Sequence, residues 1–189
     1  SETGQSLDEN GATGSYSGGI LDDATENAQF RVVSDITAGD EYIKIDNVSV
    51  TASELTSGGT KTVETTLLAE DFEGIHDPDD SNAILSDGRW DVRHGELATD
   101  GCNDGTLTFA PVTANGDVEL CFDARVGDAD RFEASGRYAD EITLQVQVGD
   151  GSWQTLDTFV VNDAGTALVG NETGNEITET SSTLSYAGG

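Results

Sequence analysis

The sequence predicts an all-β sandwich, and three features of its residue pattern indicate this. Apolar and polar residues alternate with the two-residue period of a half-buried strand in several stretches, whereas helical periodicity is nearly absent. Residues with turn chemistry separate these stretches at the spacing expected of short antiparallel strands. The chain has 189 residues, of which 35% are apolar, so it can bury the core of one ordinary domain.

The first two strands are predicted at residues 28–32 and 42–50. In each, apolar residues occupy every second position, as in a strand with one buried face. In the second strand, however, the alternation changes phase across Asp46 and Asn47. This change predicts a β-bulge that turns Asp46 towards a site while its apolar neighbours stay in the core.

A Ser-, Thr- and Gly-rich stretch at 53–63 predicts a linker, and the remaining strands follow it. These strands are predicted at 62–70, 106–110, 118–126, 142–148 and 153–161, with a weaker candidate at 176–186. The strand at 118–126 has apolar residues at even positions, which places Cys121 on its polar face. The strands at 142–148 and 153–161 flank a Gly-Asp-Gly-Ser turn, which is typical of a hairpin.

The charge of the chain excludes several partners. It has 37 acidic residues against 8 Lys and Arg, a net charge of −29. Nucleic acids and anionic membrane surfaces are bound by basic clusters, and no apolar run approaches the ~20 residues that span a bilayer. High salt or bound divalent cations would relieve the self-repulsion, which favours a saline or calcium-containing extracellular setting. A solvated acidic surface with no specific ion site is the alternative.

A repeat of period 170 connects the two ends of the chain. Residues 1–19 align without gaps on residues 171–189, with nine identical positions. The identical residues of the first copy are Glu2, Thr3, Gly4, Glu9, Thr13, Ser15, Tyr16, Gly18 and Gly19. Self-similarity at a fixed period indicates an array, so the chain is predicted to be one register of a tandem-repeat protein.

Several of the predicted strands resemble one class of extracellular domain. Tyr-Ile-Lys-Ile-Asp-Asn-Val-Ser-Val-Thr at 42–51 resembles the closing strand of the galactose-binding-like, MAM-like and carbohydrate-binding-module-like jelly rolls. Leu-Leu-Ala-Glu-Asp-Phe-Glu-Gly at 67–74 resembles their opening strand. Residues 118–126, Phe132-Glu133 and 138–159 resemble their middle strands. The resemblance implies a jelly-roll sandwich of a large secreted bacterial or archaeal protein.

The order of these strands is permuted relative to the family, because the closing strand comes before the opening one. We therefore expect residues 1–52 to be the C-terminal part of one repeat and 64–189 the N-terminal part of the next, joined by the linker at 53–63. A circularly permuted single domain is the competing interpretation. The two differ in whether the strand at 42–50 packs on its own chain or on a neighbour.

The resemblance also implies a structural calcium ion, which such jelly rolls often hold between opening and closing strands. Carried over by position, Asp46 and Glu73 would supply carboxylates, with Asp71 a third. Independently, Asp77 and Asp79 stand at alternate positions of an acidic loop that either holds a second ion or is simply solvated. Calcium prefers 6–8 oxygen ligands, backbone carbonyls included, and these carboxylates suit that preference.

Cys102 and Cys121 are the two cysteines of the chain. They are compatible with one disulfide, which would require an oxidising compartment. Two unpaired thiols are the alternative.

No catalytic motif is present, so the chain is not expected to be an enzyme. It has no Gly-x-Ser-x-Gly elbow, phosphate-binding glycine loop or His-Glu-x-x-His sequence. Sugar binding would need exposed aromatic rings, for which Trp90 and Trp153 are candidates.

These observations predict a structural and adhesive repeat of an extracellular filament or long cell-surface protein. Its partners would be copies of itself, linked head to tail either as a rod of joined domains or as a filament whose neighbours exchange strands. Ca²⁺ would stiffen this salt-adapted fibre. The alternative is a carbohydrate-binding module of a secreted protein, with surface glycans as ligands.

Overall fold

The computed structural model describes residues 21, 27–55, 62–86, 90–99 and 105–188, and these residues form two antiparallel β-sheets. In this part of the chain, the first sheet has eight strands: β1 (Asn27–Asp35), β4 (Ile84–Ser86), β7 (Gly105–Phe109), β8 (Val112–Thr113), β10 (Glu141–Val148), β11 (Gln154–Val161), β12 (Ala167–Gly170) and β13 (Glu176–Thr178). The second sheet has six: β2 (Ile43–Leu55), β3 (Thr62–Glu70), β5 (Trp90–Arg93), β6 (Glu96–Thr99), β9 (Asp117–Val126) and β14 (Ser182–Ala187). Short 3-10 helices at Pro78–Asp80 and Ala129–Arg131 complete the described elements. The predicted all-β sandwich is confirmed.

The strand order shows how the two halves of the chain combine. The first sheet runs β13-β12-β11-β10-β1-β7-β4 with β8 also on β1, and the second runs β14-β9-β2-β6-β5 with β3 also on β2. Strand β2 pairs with β3 and β9 of its own chain. Strands from both sides of the predicted linker therefore share one sheet. The assignment of the two parts to successive repeats, and the jelly-roll order, stay predictions.

The β2–β3 ladder extends into the predicted linker at 53–63. Ser53 pairs with Glu64, and Leu55 pairs with Thr62. The hairpin ladder satisfies the backbone groups of these polar residues, so the strands continue beyond the point where the side-chain pattern ends.

The core lies between the inner faces of the two sheets. In β9, apolar residues at even positions are buried and the residues between them, Cys121 included, are half-buried, as the alternation predicts. The largest fully buried side chains are Tyr186, Phe30, Phe72, Phe109, Phe159, Leu21, Ile36, Ile43, Ile45, Leu97, Leu107 and Leu120. Burial of each of these side chains contributes roughly 1.5–3 kcal/mol to the free energy of folding. The described chain has no helix long and apolar enough to cross a membrane.

The predicted bulge in β2 is confirmed. The register of β2 against β9 shifts between Asp46 and Ser49, and Asn47 has a φ of 50°. Asn tolerates this left-handed conformation better than most residues. The Asn47 amide side chain donates to Asp123 Oδ2 at 2.9 Å, and its backbone N–H donates to Asp46 Oδ1 at 2.7 Å.

An ion cluster ties three neighbouring strands of the second sheet. Glu96 on β6 accepts from Lys44 Nζ of β2 at 2.8 Å. It also accepts a bidentate pair from Arg125 of β9, with distances of 2.7 Å from Nε and 2.6 Å from Nη2. These hydrogen bonds, above all those of Arg125, lower the pKa of Glu96 to about 2. Two of the chain's 8 basic residues are thus used at one carboxylate.

We expect Glu96→Gln to lower the free energy of unfolding at pH 7 by roughly 1–2 kcal/mol, because the three hydrogen bonds from Lys44 and Arg125 lose the carboxylate charge. The lowered pKa means that this contribution is present above about pH 4.5 and disappears as the pH falls towards 2. Urea denaturation of both proteins across this range measures the difference. Asp91→Asn is the control, because its pair with Arg93 is about half exposed and should matter little. A Glu96→Gln deficit that is unchanged at pH 2 would contradict the assignment.

Candidate metal centre

Three carboxylates from two separate connections of the sandwich converge on one point. Glu41 stands just before β2, Asp140 just before β10, and Glu133 lies in the connection between β9 and β10. One oxygen from each lies within 4.8 Å of the others, and within the described residues this is the only such set of three acidic, His or Cys side chains. Glu41 and Asp140 are 1% and 2% exposed, whereas Glu133 is exposed. We call these three residues the acidic triad.

Backbone amides hold the buried members of the acidic triad in place. Asp140 Oδ1 accepts from the Thr37 N–H at 2.9 Å and from the Thr37 hydroxyl at 3.2 Å. Its Oδ2 accepts from the Glu133 N–H at 2.7 Å, and the Asp140 N–H donates back to the Glu133 carbonyl at 2.9 Å. Glu41 Oε2 accepts from the Ala38 N–H at 2.8 Å. The donors fix the positions of these carboxylates without neutralising their charge.

The environment of the acidic triad disfavours three negative charges. Burial raises the pKa of Glu41 to about 7, and the charges of Asp140 and Glu133 add to the shift. A hydrogen bond with Asp140 raises the pKa of the exposed Glu133, and the charge of Asp140 adds to the shift. The triad therefore retains a proton near neutral pH, and a hard divalent cation could replace that proton. Carboxylate oxygens, supplemented by carbonyls and water, are the ligands that Ca²⁺ prefers.

Two of the predicted metal ligands, Asp46 and Glu73, lie outside the acidic triad. Asp46 is half-buried at the bulge, and its pKa is raised by burial and by the charges of Glu96, Asp123 and Glu73. Glu73 lies against the β5–β6 turn, where Gly95 has no side chain and an added Cβ would be only 2.5 Å from Glu73 Oε1. Metal binding by Asp46 and Glu73 stays a prediction.

The other three predicted ligands serve their own loops. Asp71 Oδ1 accepts from the Glu73 N–H at 3.1 Å. Asp77 caps the 3-10 helix Pro78–Asp80 by accepting from the Asp79 N–H at 3.0 Å. Asp71, Asp77 and Asp79 are all exposed. Their contacts are those of ordinary acidic turns, and metal binding by them stays a prediction.

The two tryptophans differ in what they offer a sugar. Trp90 is only 5% exposed and belongs to the core, so it is no platform for a ligand, and this corrects the prediction of an exposed ring. Trp153 is half-buried, and the Arg31 guanidinium lies 4.2 Å from its ring centroid. Arg31 Nε is held in turn by Gln145 Oε1 at 2.7 Å. Part of the Trp153 ring is therefore already covered by a cation.

The predicted disulfide joins a described and an undescribed residue. Cys121 is a half-buried free thiol, and burial together with the charges of Glu119 and Asp123 raises its pKa. Cys102 lies outside the described residues. The disulfide stays a prediction.

The acidic triad was not among the sequence predictions. Its residues are spread from 41 to 140 without a motif spacing. The available signal is an acidic residue directly before each of two apolar strands, at Glu41 and Asp140. Only the fold shows that these two strand starts are neighbours.

We expect the stability of the metal-free protein to fall between pH 4.5 and 7 because of Glu41. The unfolded carboxyl loses its proton near 4.5, whereas the folded one keeps it to about 7, so stability decreases as the pH rises through this interval. Glu41→Gln should remove this part of the slope and raise the free energy of unfolding at pH 7.5 by roughly 1–3 kcal/mol. Urea denaturation in chelator at pH 4.5, 6 and 7.5 measures it. The exposed Glu54→Gln is the charge-matched control, and equal slopes for all three proteins would contradict the role of Glu41.

Comparison with known proteins identifies no family for this chain. No protein-family model, curated protein or solved structure matches it. The jelly-roll resemblance accordingly stays an expectation, whereas the two-sheet, all-β architecture follows from the strands themselves.

Proposed function

We propose that this chain is a calcium-stiffened structural and adhesive repeat of a long extracellular protein or filament. Neighbouring units are linked head to tail in this proposal. The observation that carries it is the position of the acidic triad relative to the two sheets.

The acidic triad bridges two connections that pass between the sheets. The β1–β2 connection, which carries Glu41, leads from the first sheet to the second. The β9–β10 connection, which carries Glu133 and Asp140, leads from the second sheet back to the first. An ion held by all three carboxylates would fasten these crossings together. Such a clasp resists separation of the sheets, which is the property that a load-bearing repeat requires.

The overall charge supports the same proposal. A chain with a net charge of −29 repels itself and its neighbours, and a divalent cation bound at the acidic triad would reduce this repulsion. Calcium is abundant outside cells, and modest affinities of 10⁻⁴–10⁻³ M are typical of extracellular modules. Self-repelling units joined in a line favour an extended rod.

Calcium should raise the melting temperature of the full chain relative to chelator. At a calcium concentration about 100 times the dissociation constant, the expected gain is about 2.7 kcal/mol, which corresponds to several degrees. Glu41→Gln and Asp140→Asn should remove most of the gain. In single-molecule pulling from the chain ends, calcium should also raise the unfolding force of the wild type only.

Two matched variants identify which acidic site responds. Asp77→Asn with Asp79→Asn removes two exposed charges from an acidic turn and should leave the calcium gain intact. Asp46→Asn with Glu73→Gln tests the site expected from the jelly-roll resemblance. An unchanged wild-type melting temperature in calcium would overturn the proposed metal. A gain that only the Asp46 and Glu73 variant abolishes would move the metal to the bulge.

A further inference from the structure

Residues 171–188, here called the closing segment, complete both sheets of the sandwich. Their first strand, β13, pairs with β12 at one edge of the first sheet, and β14 pairs with β9 at an edge of the second. Six of their side chains form hydrogen bonds with the rest of the domain, as donors or acceptors. These are Glu172, Thr173, Glu179, Thr183, Ser185 and Tyr186.

Three of these contacts surround the fully buried Asp157 of β11. The Tyr186 hydroxyl donates to Asp157 Oδ2 at 3.1 Å, and the Thr173 hydroxyl donates to the same oxygen. The Glu172 carboxylate accepts from the Thr158 N–H at 2.8 Å, next to Asp157. Asp157 and Tyr186 are both 0% exposed, so the hydrogen bond between their side chains is fully buried.

The other three contacts lie along β9 and the connection after it. The hydroxyls of Thr183 and Ser185 donate to the carboxylates of Asp123 and Glu119. The Glu179 carboxylate accepts from the Ala129 N–H at 3.3 Å. Together with the Asp157 contacts, they define a docking groove on β9 and β11.

All six contact side chains recur in residues 1–19. At the ungapped offset of 170, their equivalents are Glu2, Thr3, Glu9, Thr13, Ser15 and Tyr16. The three other identities are glycines, and one of them, Gly4, corresponds to Gly174, whose φ of +75° favours glycine. Identities in Ser-, Thr- and Gly-rich sequence that arose by chance would not fall selectively on the groove contacts.

We infer that residues 1–19 are a second closing segment, which docks in the groove of another copy of this domain. The inference rests on the proposed head-to-tail linkage and names the segment and the surface that would form it. The groove of one copy would bind residues 1–19 of the preceding or following copy. It would form with them the same hydrogen bonds to hydroxyls and carboxylates that it forms with its own residues 171–188.

One difference explains why a domain keeps its own closing segment. Leu184 is fully buried, whereas its equivalent in the first copy is Gly14. Residues 1–19 therefore bury less apolar surface in the groove and bind it more weakly. Leu184→Gly places in the closing segment the glycine that residues 1–19 have at Gly14. Residues 1–19 and 171–188 should then compete more evenly for the groove.

Cys121 provides a direct test of the docked register. Ser185 lies opposite Cys121 in the β14–β9 ladder, and Cα atoms of such pairs are about 4.5–5.5 Å apart, within the range of a disulfide. Ser15 is the equivalent of Ser185. In a Cys102→Ser background, Ser15→Cys should cross-link on oxidation to Cys121 of a second copy, and Ser185→Cys should cross-link within one chain.

The experiment refolds the full chain at high concentration, oxidises it, and measures the covalent ladder on non-reducing gels. Ser15→Cys should give roughly tenfold more ladder than Ser6→Cys, because Ser6 is the equivalent of Glu176, which is exposed and pairs with Val169 of β12 rather than with a residue of β9. Leu184→Gly should increase the ladder, and Thr3→Ala with Tyr16→Phe should reduce it to the Ser6→Cys amount. If Leu184→Gly does not unfold cooperatively, it is not used. The inference is then tested by comparing Ser15→Cys with Ser6→Cys in chains that keep Leu184.

Mixed ¹⁴N- and ¹⁵N-labelled chains identify the partner by mass spectrometry. Mixed-label pairs between residues 1–19 and β9 are the expected result. Equal ladders for Ser15→Cys and Ser6→Cys, or cross-links confined to one chain, would overturn the inference. The melting temperature with and without calcium is measured on the same proteins. If the covalent ladder is absent but calcium still raises the melting temperature, the docking of residues 1–19 is rejected and the proposed calcium-binding repeat is not.

Discussion

The shortage of cations is the constraint on which the rest of this structure depends. With 8 basic residues for 37 acidic ones, most carboxylates have no Lys or Arg to pair with. A carboxylate removed from water still needs hydrogen bonds, because an unsatisfied buried charge costs several kcal/mol. Glu96 pairs with two cations, whereas the pairs of Asp91 with Arg93 and of Asp40 with Arg131 are about half exposed. Elsewhere the fold supplies neutral donors: Asp157 accepts from the Thr158 and Glu172 N–H groups and from two hydroxyls.

The acidic triad is the place where neutral donors are insufficient. Backbone amides satisfy individual oxygens of Asp140 and Glu41, yet they leave three carboxylates within 4.8 Å of one another. Burial, with the neighbouring charges in addition, raises the pKa of Glu41, and the hydrogen bond with Asp140 raises the pKa of Glu133. A proton held at the acidic triad reduces its negative charge. A cation does the same with more ligands and over a wider pH range. The excess of acidic residues in the chain is thus expressed locally at the acidic triad, which lies on two connections between the sheets.

The sequence could predict the strands that have a regular pattern and a few of their irregularities. Alternation predicted β9 with Cys121 on its polar face, and the change of phase predicted the bulge at Asp46 and Asn47. The short strand that begins with Trp90 has too few residues to show which face is buried, so the sequence leaves Trp90 among the candidate sugar-binding rings although it lies in the core. The acidic triad depends on which connections meet in space, and no local pattern of residues records that.

The same constraint determines what kind of joint such units can form with one another. Two surfaces of like charge cannot be joined by salt bridges when cations are so few, but hydroxyl groups can donate to carboxylates without any cation. The closing segment uses this chemistry, because Thr173, Thr183, Ser185 and Tyr186 all donate to carboxylates of the domain. Salt weakens an interface made of ion pairs, whereas here it screens the repulsion between units and leaves the hydroxyl contacts intact. The proposed joint would therefore form best at high ionic strength, where a chain of this charge repels itself least.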